Sequence, residues 1–195
     1  MIPSIRDIAF QLRQGQLVAL ADETGWSIAA DPVNDAAVEQ LLTLLPLMAA
    51  GLQPTVLIQN TDQLGMYVAK MPDIAYDLVE FAENPLIVVY DQGKNISPVF
   101  GRVIDTQSTA DTKGLSANGI QPMGPLAVRR SLNAEIQRLI GSFGRGLLTI
   151  PFESLLLPPS VETLVSLQFG TLPGMPKRPR IMRLGVNGEV SFIRK

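Results

Sequence analysis

Short apolar runs alternate with amphipathic stretches along nearly the whole chain, and this alternation limits the folds open to it. Ile5, Ile8, Ala9 and Leu12 recur at i, i+3, i+4 and i+7, the spacing of one helix face, until Gly15 stops the pattern. Residues 16–21 then read as a buried strand, with a second extended piece over residues 26–30. Asn34 is placed to cap a helix striped by Val38, Leu41, Leu42 and Leu45, and residues 54–59 read as the next strand. Pro72 opens a helix with Ile74, Leu78 and Phe81 on one face, which Asn84-Pro85 ends before the strand PLIVVY. Residues 126–129 predict a short strand; a helix striped by Leu132, Ile136, Leu139, Ile140 and Phe143 and the strand GLLTIPF follow. Residues 161–167 read as helical, and residues 181–184 with 189–193 as a hairpin turned at Asn187-Gly188. Strands that alternate with helices imply an α/β fold, one sheet covered on both faces.

Composition narrows the chemistry. A chain of 195 residues is long enough for one substantial core, so residues 1–195 are expected to form a single domain. At 46% hydrophobic and 17% charged residues, disorder is excluded as a description of the whole chain. There is no cysteine and no histidine, which removes disulfides, the thiol nucleophile, the usual general base and the commonest metal ligand. Catalysis would have to run on carboxylates, Lys/Arg, hydroxyls or backbone dipoles, and no metal site is expected. The apolar stretch over residues 41–58 is interrupted by Pro46, Gly51, Gln53 and Pro54, so it reads as helix end, turn and strand start, not a membrane span. The opening MIPSIRDIAF lacks the basic-then-apolar layout of a signal peptide, and a cytoplasmic location is expected.

Two segments stand apart. Residues 91–124 dissolve into Gly, Ser, Thr, Asp and Asn, which predicts a long flexible loop of the lid or binding kind. Residues 177–195 form a basic hairpin, with Lys177, Arg178, Arg180, Arg183, Arg194 and Lys195 against Glu189 alone. Such a tail either docks RNA or folds back on the acidic body, and folding back is favoured because charge asymmetry is a weak cue. A pI near 5.2 is not the footprint of a dedicated nucleic-acid binder, and no DNA partner is expected.

The stretch ADETGWSIAADP (residues 21–32) before a helix, PLAVRR before a helix, GLLTIPF, and the late RPRIMRLGVNGEVSFIR stand in an order that resembles the YrdC-like threonylcarbamoyl-AMP synthase family. The family pattern P-T-[DE]-T-x-[YW]-G-[LI]-x-x-D is matched by Glu23, Thr24, Trp26, Ile28 and Asp31, and departed from at Ala21, Asp22 and Ser27. The segment YVAKMPDIAYDLVEFAENPLIVVY is similar to the family's middle region. The resemblance implies a YrdC-like twisted, largely mixed sheet with helices on both faces. It also implies a nucleotidyltransferase that joins ATP with Mg²⁺, bicarbonate and L-threonine, the first step of a tRNA adenosine modification, and an association with double-stranded RNA.

Charge develops on phosphate in an adenylation transition state, so such a site needs fixed cations and aimed donors. The family supplies them with Lys-x-Arg after the first long helix, Ser-x-Asn after a later strand, and Pro-Ser-Thr near the C-terminus. Here those windows read LLPLM (residues 44–48), TIPFE with Thr149, Pro151 and Glu153, and RPR (residues 178–180). The first has no cation. Candidate substrate or nucleotide contacts are then Glu23, Thr24, Trp26, Arg129, Thr149 and Arg180, and none is assigned as catalytic. A solvated surface acid is the commoner fate of a residue like Glu23, and packing the commoner fate of a lone Trp26. Arg129 ends a strand where a helix N-terminus begins, the anion-friendly corner of an α/β sheet. Ser116-Ala117-Asn118 spells a family-like triplet out of order, which short polar runs in loops often do. Two readings remain: a degenerate member that binds nucleotide or RNA or regulates a partner, and an active synthase whose cations come from elsewhere, such as Lys113 or Arg180. The oligomeric state is open at this level.

Overall fold

The computed structural model describes residues 3–107 and 123–195. In chain order these form α1 (Ile5–Arg13), β1 (Val18–Asp22), β2 (Gly25–Ala30), α2 (Asp35–Leu42), β3 (Thr55–Ile58), α3 (Leu64–Tyr67), α4 (Ile74–Glu80) and β4 (Leu86–Tyr90). They continue with α5 (Pro98–Gln107), β5 (Leu126–Arg130), α6 (Ala134–Phe143), β6 (Leu147–Pro151), α7 (Pro159–Leu164), β7 (Gln168–Gly170), β8 (Arg180–Leu184) and β9 (Val190–Arg194). The nine strands make one mixed sheet in the order β7-β1-β2-β6-β3-β5-β4-β8-β9. Its β1–β2 and β8–β9 hairpins are antiparallel, while β3–β5, β4–β8 and β1–β7 are parallel pairs. Among the described residues no helix is long and apolar enough to cross a membrane.

Successive strand residues face opposite sides of a sheet, and in its central strands both sides are buried. Ala19, Ile28, Val56, Val128 and Leu148 pack with Val38 and Leu41 of α2. Val18, Leu20, Ala29, Leu57 and Leu147 pack with Ile8 and Leu12 of α1 and with Ile136 and Leu139 of α6. Local signals start and stop these helices as expected. Ser4 and Asp7 form a capping box on α1, Ala37 N donates to Asn34 Oδ1 at 3.0 Å, and Gly144 ends α6 in the left-handed region at φ 93°.

Three expectations are corrected. The helix after Pro72 buries Ala75 and Val79, whereas Ile74 and Phe81 are 46% and 77% exposed. The side chain of Arg130 donates to the carbonyls of Val79 and Glu80 and pins that flank of α4 to β5, which turns the Ile74–Phe81 side outward. The loop expected over residues 91–124 contains α5. Ser97 Oγ accepts from Val99 N and donates to Asp35 Oδ1 at 2.6 Å, and Phe100 and Val103 join the core beside α2. Residues 108–122 of that expectation, with Lys113 and the Ser116-Ala117-Asn118 triplet, lie outside the described residues. Finally, the helix expected over residues 161–167 occupies Pro159–Leu164, and Gln168–Gly170 adds a short strand beside β1. Gly170, at φ 96°, admits that pairing because a Cβ there would sit 2.2 Å from the Ala21 carbonyl oxygen.

Candidate functional site

The turn Asp22–Gly25 that joins β1 to β2 organises the site. Asp22 Oδ1 accepts from both Thr24 N at 2.8 Å and Thr24 Oγ1 at 2.7 Å, so the carboxylate folds its own turn. Gly25, at φ 100°, lies so near the chain after β6 that a Cβ would meet the Ser154 carbonyl oxygen at 2.5 Å. Trp26 N donates to that oxygen at 2.8 Å and Phe152 N donates to the Trp26 carbonyl at 3.0 Å, which locks the turn to the end of β6.

Arg129 comes to this turn from β5. Its guanidinium donates to Asp22 Oδ2 and, at 2.7 Å, to Glu23 Oε1, which also accepts from Leu132 N at 3.1 Å. Burial would lower the Arg129 pKa, yet the fields and hydrogen bonds of Asp22 and Glu23 outweigh it and hold the value above the ordinary one. Arg129 is only 6% exposed and Asp22 1%. Glu23 Oε2 and Ser27 Oγ, on the same hairpin, are buried without a hydrogen-bond partner among the described residues. The expectation of a solvated Glu23 and of an Arg129 head open to anions is therefore corrected: each occupies the other.

Beside the turn lies a cavity of about 370 Å³. Ala49, Ala50 and Leu52 line it from the chain after α2, Phe152 and Glu153 from the chain after β6, and Pro176, Lys177 and Arg178 from the approach to β8. Lys177 N donates to the Glu23 carbonyl at 2.8 Å and so ties this wall to the turn. Arg194 of β9 closes another wall through a two-pronged pair with Glu153, at 2.6 and 3.0 Å, and donates to the Pro179 carbonyl as well. Two of the windows singled out in the sequence, through Glu153 and Arg178, thus meet at the cavity, joined by the chain just after the first.

Their contents differ from the expectation in detail. Leu44 and Leu45 of the first window are core residues, and the cavity begins one step later at Ala49, still without a cation. Thr149 is 4% exposed and its Oγ1 donates to the Thr55 carbonyl at 2.7 Å, so the hydroxyl is used within the sheet. Thr24 is 2% exposed and committed to Asp22. Trp26 packs against the core with its indole N–H on the Leu155 carbonyl at 3.2 Å. Arg180 lines a separate depression with Phe81 and Phe192. Asp22, Glu153, Lys177, Arg178 and Arg194 were not among the candidates. Lys177 and Arg178 are exposed cations with no ion pair or side-chain hydrogen bond among the described residues; the basic tail signalled both, and the RPR window Arg178.

A mixed sheet of this order, with the β1–β2 turn clamped to the end of β6 beside a cavity walled by both chain halves, defines a class of α/β protein with a cleft beside that turn. A family model for the Sua5/YciO/YrdC domain, described as "Telomere recombination", matches residues 11–149, and the chain belongs to that family. The solved structure of E. coli YciO matches at 15% identity over 98% of this chain and 88% of that one, with a TM-score of 0.69. P. abyssi Sua5 complexed with L-threonine matches at 20% identity over 92% of this chain and 50% of that one, with a TM-score of 0.64. MTH1692 from Methanobacterium thermoautotrophicum matches at 15% identity over 100% of this chain and 88% of that one, with a TM-score of 0.61. No individual curated protein matches the sequence.

Proposed function

We propose that this chain is a catalytically degenerate member of its family, one that binds a phosphate-bearing ligand, nucleotide or RNA, or regulates a partner, without forming an adenylate. The observation that carries the reading is the state of the cations. The Lys-x-Arg window (residues 44–48) holds no cation, the chain just after it lines the cavity with Ala49, Ala50 and Leu52, and Arg129 is neutralised by two carboxylates. A triphosphate placed there would exchange well-solvated charge for an apolar wall. A tRNA-modification role fits the family, and RNA contact would fall to the tail. Two tail cations, Arg183 and Arg194, already pair with Asp91 and Glu153, which supports a tail that folds back.

Lys177 and Arg178 at the cavity mouth favour a second reading, an active L-threonylcarbamoyladenylate synthase with relocated cations. One experiment separates the two. A ligand bound only by the folded state adds about 2.7 kcal/mol at a hundredfold excess over its dissociation constant, and about 1 kcal/mol moves the melting point by roughly 2–4 °C. ATP, Mg²⁺ and L-threonine at saturation would raise the melting temperature of a competent site by about 5–11 °C. The expected rise is no more than about 2 °C, with pyrophosphate release no higher than in a heat-killed control. A large shift together with product overturns the degenerate reading.

A further inference from the structure

The sheet ends at β9, whose inner neighbour is β8 and whose outer edge has no partner strand among the described residues. An open edge offers a row of backbone N–H and C=O groups to another chain, and proteins usually blunt it with charge or proline. β9 instead exposes Val190, Phe192 and Ile193, at 38, 51 and 57%. Phe192 shares a depression of about 390 Å³ with Leu78, Phe81 and Met182, so apolar surface runs from α4 to the edge itself. Single exposed apolar residues are ordinary, whereas a contiguous patch on an unpaired edge marks an interface.

The charges that flank β9 indicate what pairs with it. Glu189 precedes the strand and Lys195 follows it, both exposed and neither in an ion pair among the described residues. Cross-strand partners share a face of the sheet, so a two-fold antiparallel pairing must be centred on a residue. Centred on Phe192, it sets Phe192 against Phe192 and Ser191 against Ile193. It also sets Glu189 against Lys195 of the other copy, twice. Centred on Ser191 or Ile193, that charge match is lost. The aromatic pair would lie on the face that carries Phe81, because Phe192 pairs with Met182 of the core on that side.

We propose that the β9 edge is the interface of a homodimer, in which β9 of two copies pair antiparallel about Phe192 and extend the sheet across both. The inference is independent of whether the cavity is catalytic. Sedimentation velocity of the full chain over a concentration series tests it. The expected result is a reversible dimer with a dissociation constant in the micromolar range, as befits a small interface, roughly 1–100 μM. Glu189→Lys turns two attractions into two repulsions and should weaken the dimer about tenfold or more. The double variant Glu189→Lys/Lys195→Glu should restore it to within about threefold. Phe192→Ser should give monomer with an unchanged melting temperature at low concentration, since the side chain is half exposed. A chain that stays monomeric up to about 200 μM overturns the proposal. So does a dimer that ignores Glu189→Lys, or one that the charge-swapped double variant fails to restore.

Discussion

Arg129 is one guanidinium between two carboxylates, and removing it leaves both without their counter-charge in a buried site. Breaking one partner of such a group costs about 3–5 kcal/mol, so Arg129→Ala should lower the melting temperature of ligand-free protein by roughly 6–20 °C. A thermal melt with no more than a degree of change would return Arg129 to the role of a free anion site. Gly25→Ala meets two obstacles at once, a φ of 100° and the Ser154 carbonyl 2.5 Å from the new Cβ. It should cost about 1–3 kcal/mol in chemical denaturation, and a neutral result would mean that the turn is not clamped to β6. The sequence marks Glu23, Thr24 and Arg129 as belonging together only through their family pattern. It does not show that they consume one another. Asp22 and Arg129 are 107 residues apart in the chain and sit on strands with β2, β6 and β3 between them, a contact no local periodicity encodes.

Elements whose apolar residues sit on one face, such as α1, α2 and α6, are readable from spacing because burial and period agree. α4 and α5 are not, for different reasons. In α4 the small Ala75 does the packing that Ile74 advertises, because Arg130 sets the helix rotation from another element. In α5 the stripe of Phe100 and Val103 follows Gly93, Asn95 and Pro98, and the loop-like punctuation masks it. The same limit displaced the cation window. LLPLM is sequence-adjacent to the cavity, yet Leu44 and Leu45 fill the core, and the chain reaches the opening only from Ala49 onward. The two positions therefore respond oppositely to lysine. Leu45→Lys buries an unpaired ammonium in place of a core side chain and should cost about 3 kcal/mol or more, read as a lower urea midpoint at unchanged slope. Ala49→Lys lies on exposed chain and should stay within about 0.5 kcal/mol of the parent. It should also increase the thermal shift given by ATP with Mg²⁺. Equal stability of the two variants would refute the placement of the core boundary between Leu45 and Ala49.

Over the whole molecule, titration is set by what the chain lacks. With no histidine and no cysteine, no side chain has an ordinary pKa between the carboxylates and the tyrosines and lysines near pH 10. Stability should therefore hardly vary from about pH 6 to about pH 9. Above that range two tyrosines decide. Tyr67 and Tyr90 are each 1% exposed in the core on the α2 side of the sheet. Burial pushes the Tyr67 phenol up to about 12 against a partial offset from the positive charge of Arg145, and pushes Tyr90, whose hydroxyl has no hydrogen-bond partner among the described residues, higher still. In the unfolded chain both ionise near pH 10. The folded state binds its phenolic protons more tightly than the unfolded state, so the resulting stability is complete below pH 10 and is lost as pH rises beyond it. For Tyr67 alone the loss by pH 12 is about 2–3 kcal/mol, and Tyr90 continues it to higher pH. The expected curve of urea-unfolding free energy against pH is a plateau that turns down near pH 10. Tyr67→Phe, which keeps the ring in the core and removes the titrating group, should flatten the fall between pH 10 and 12. A midpoint that changes steeply between pH 6 and 9, or a downturn that Tyr67→Phe leaves untouched, would show that groups other than these buried phenols control the alkaline limit.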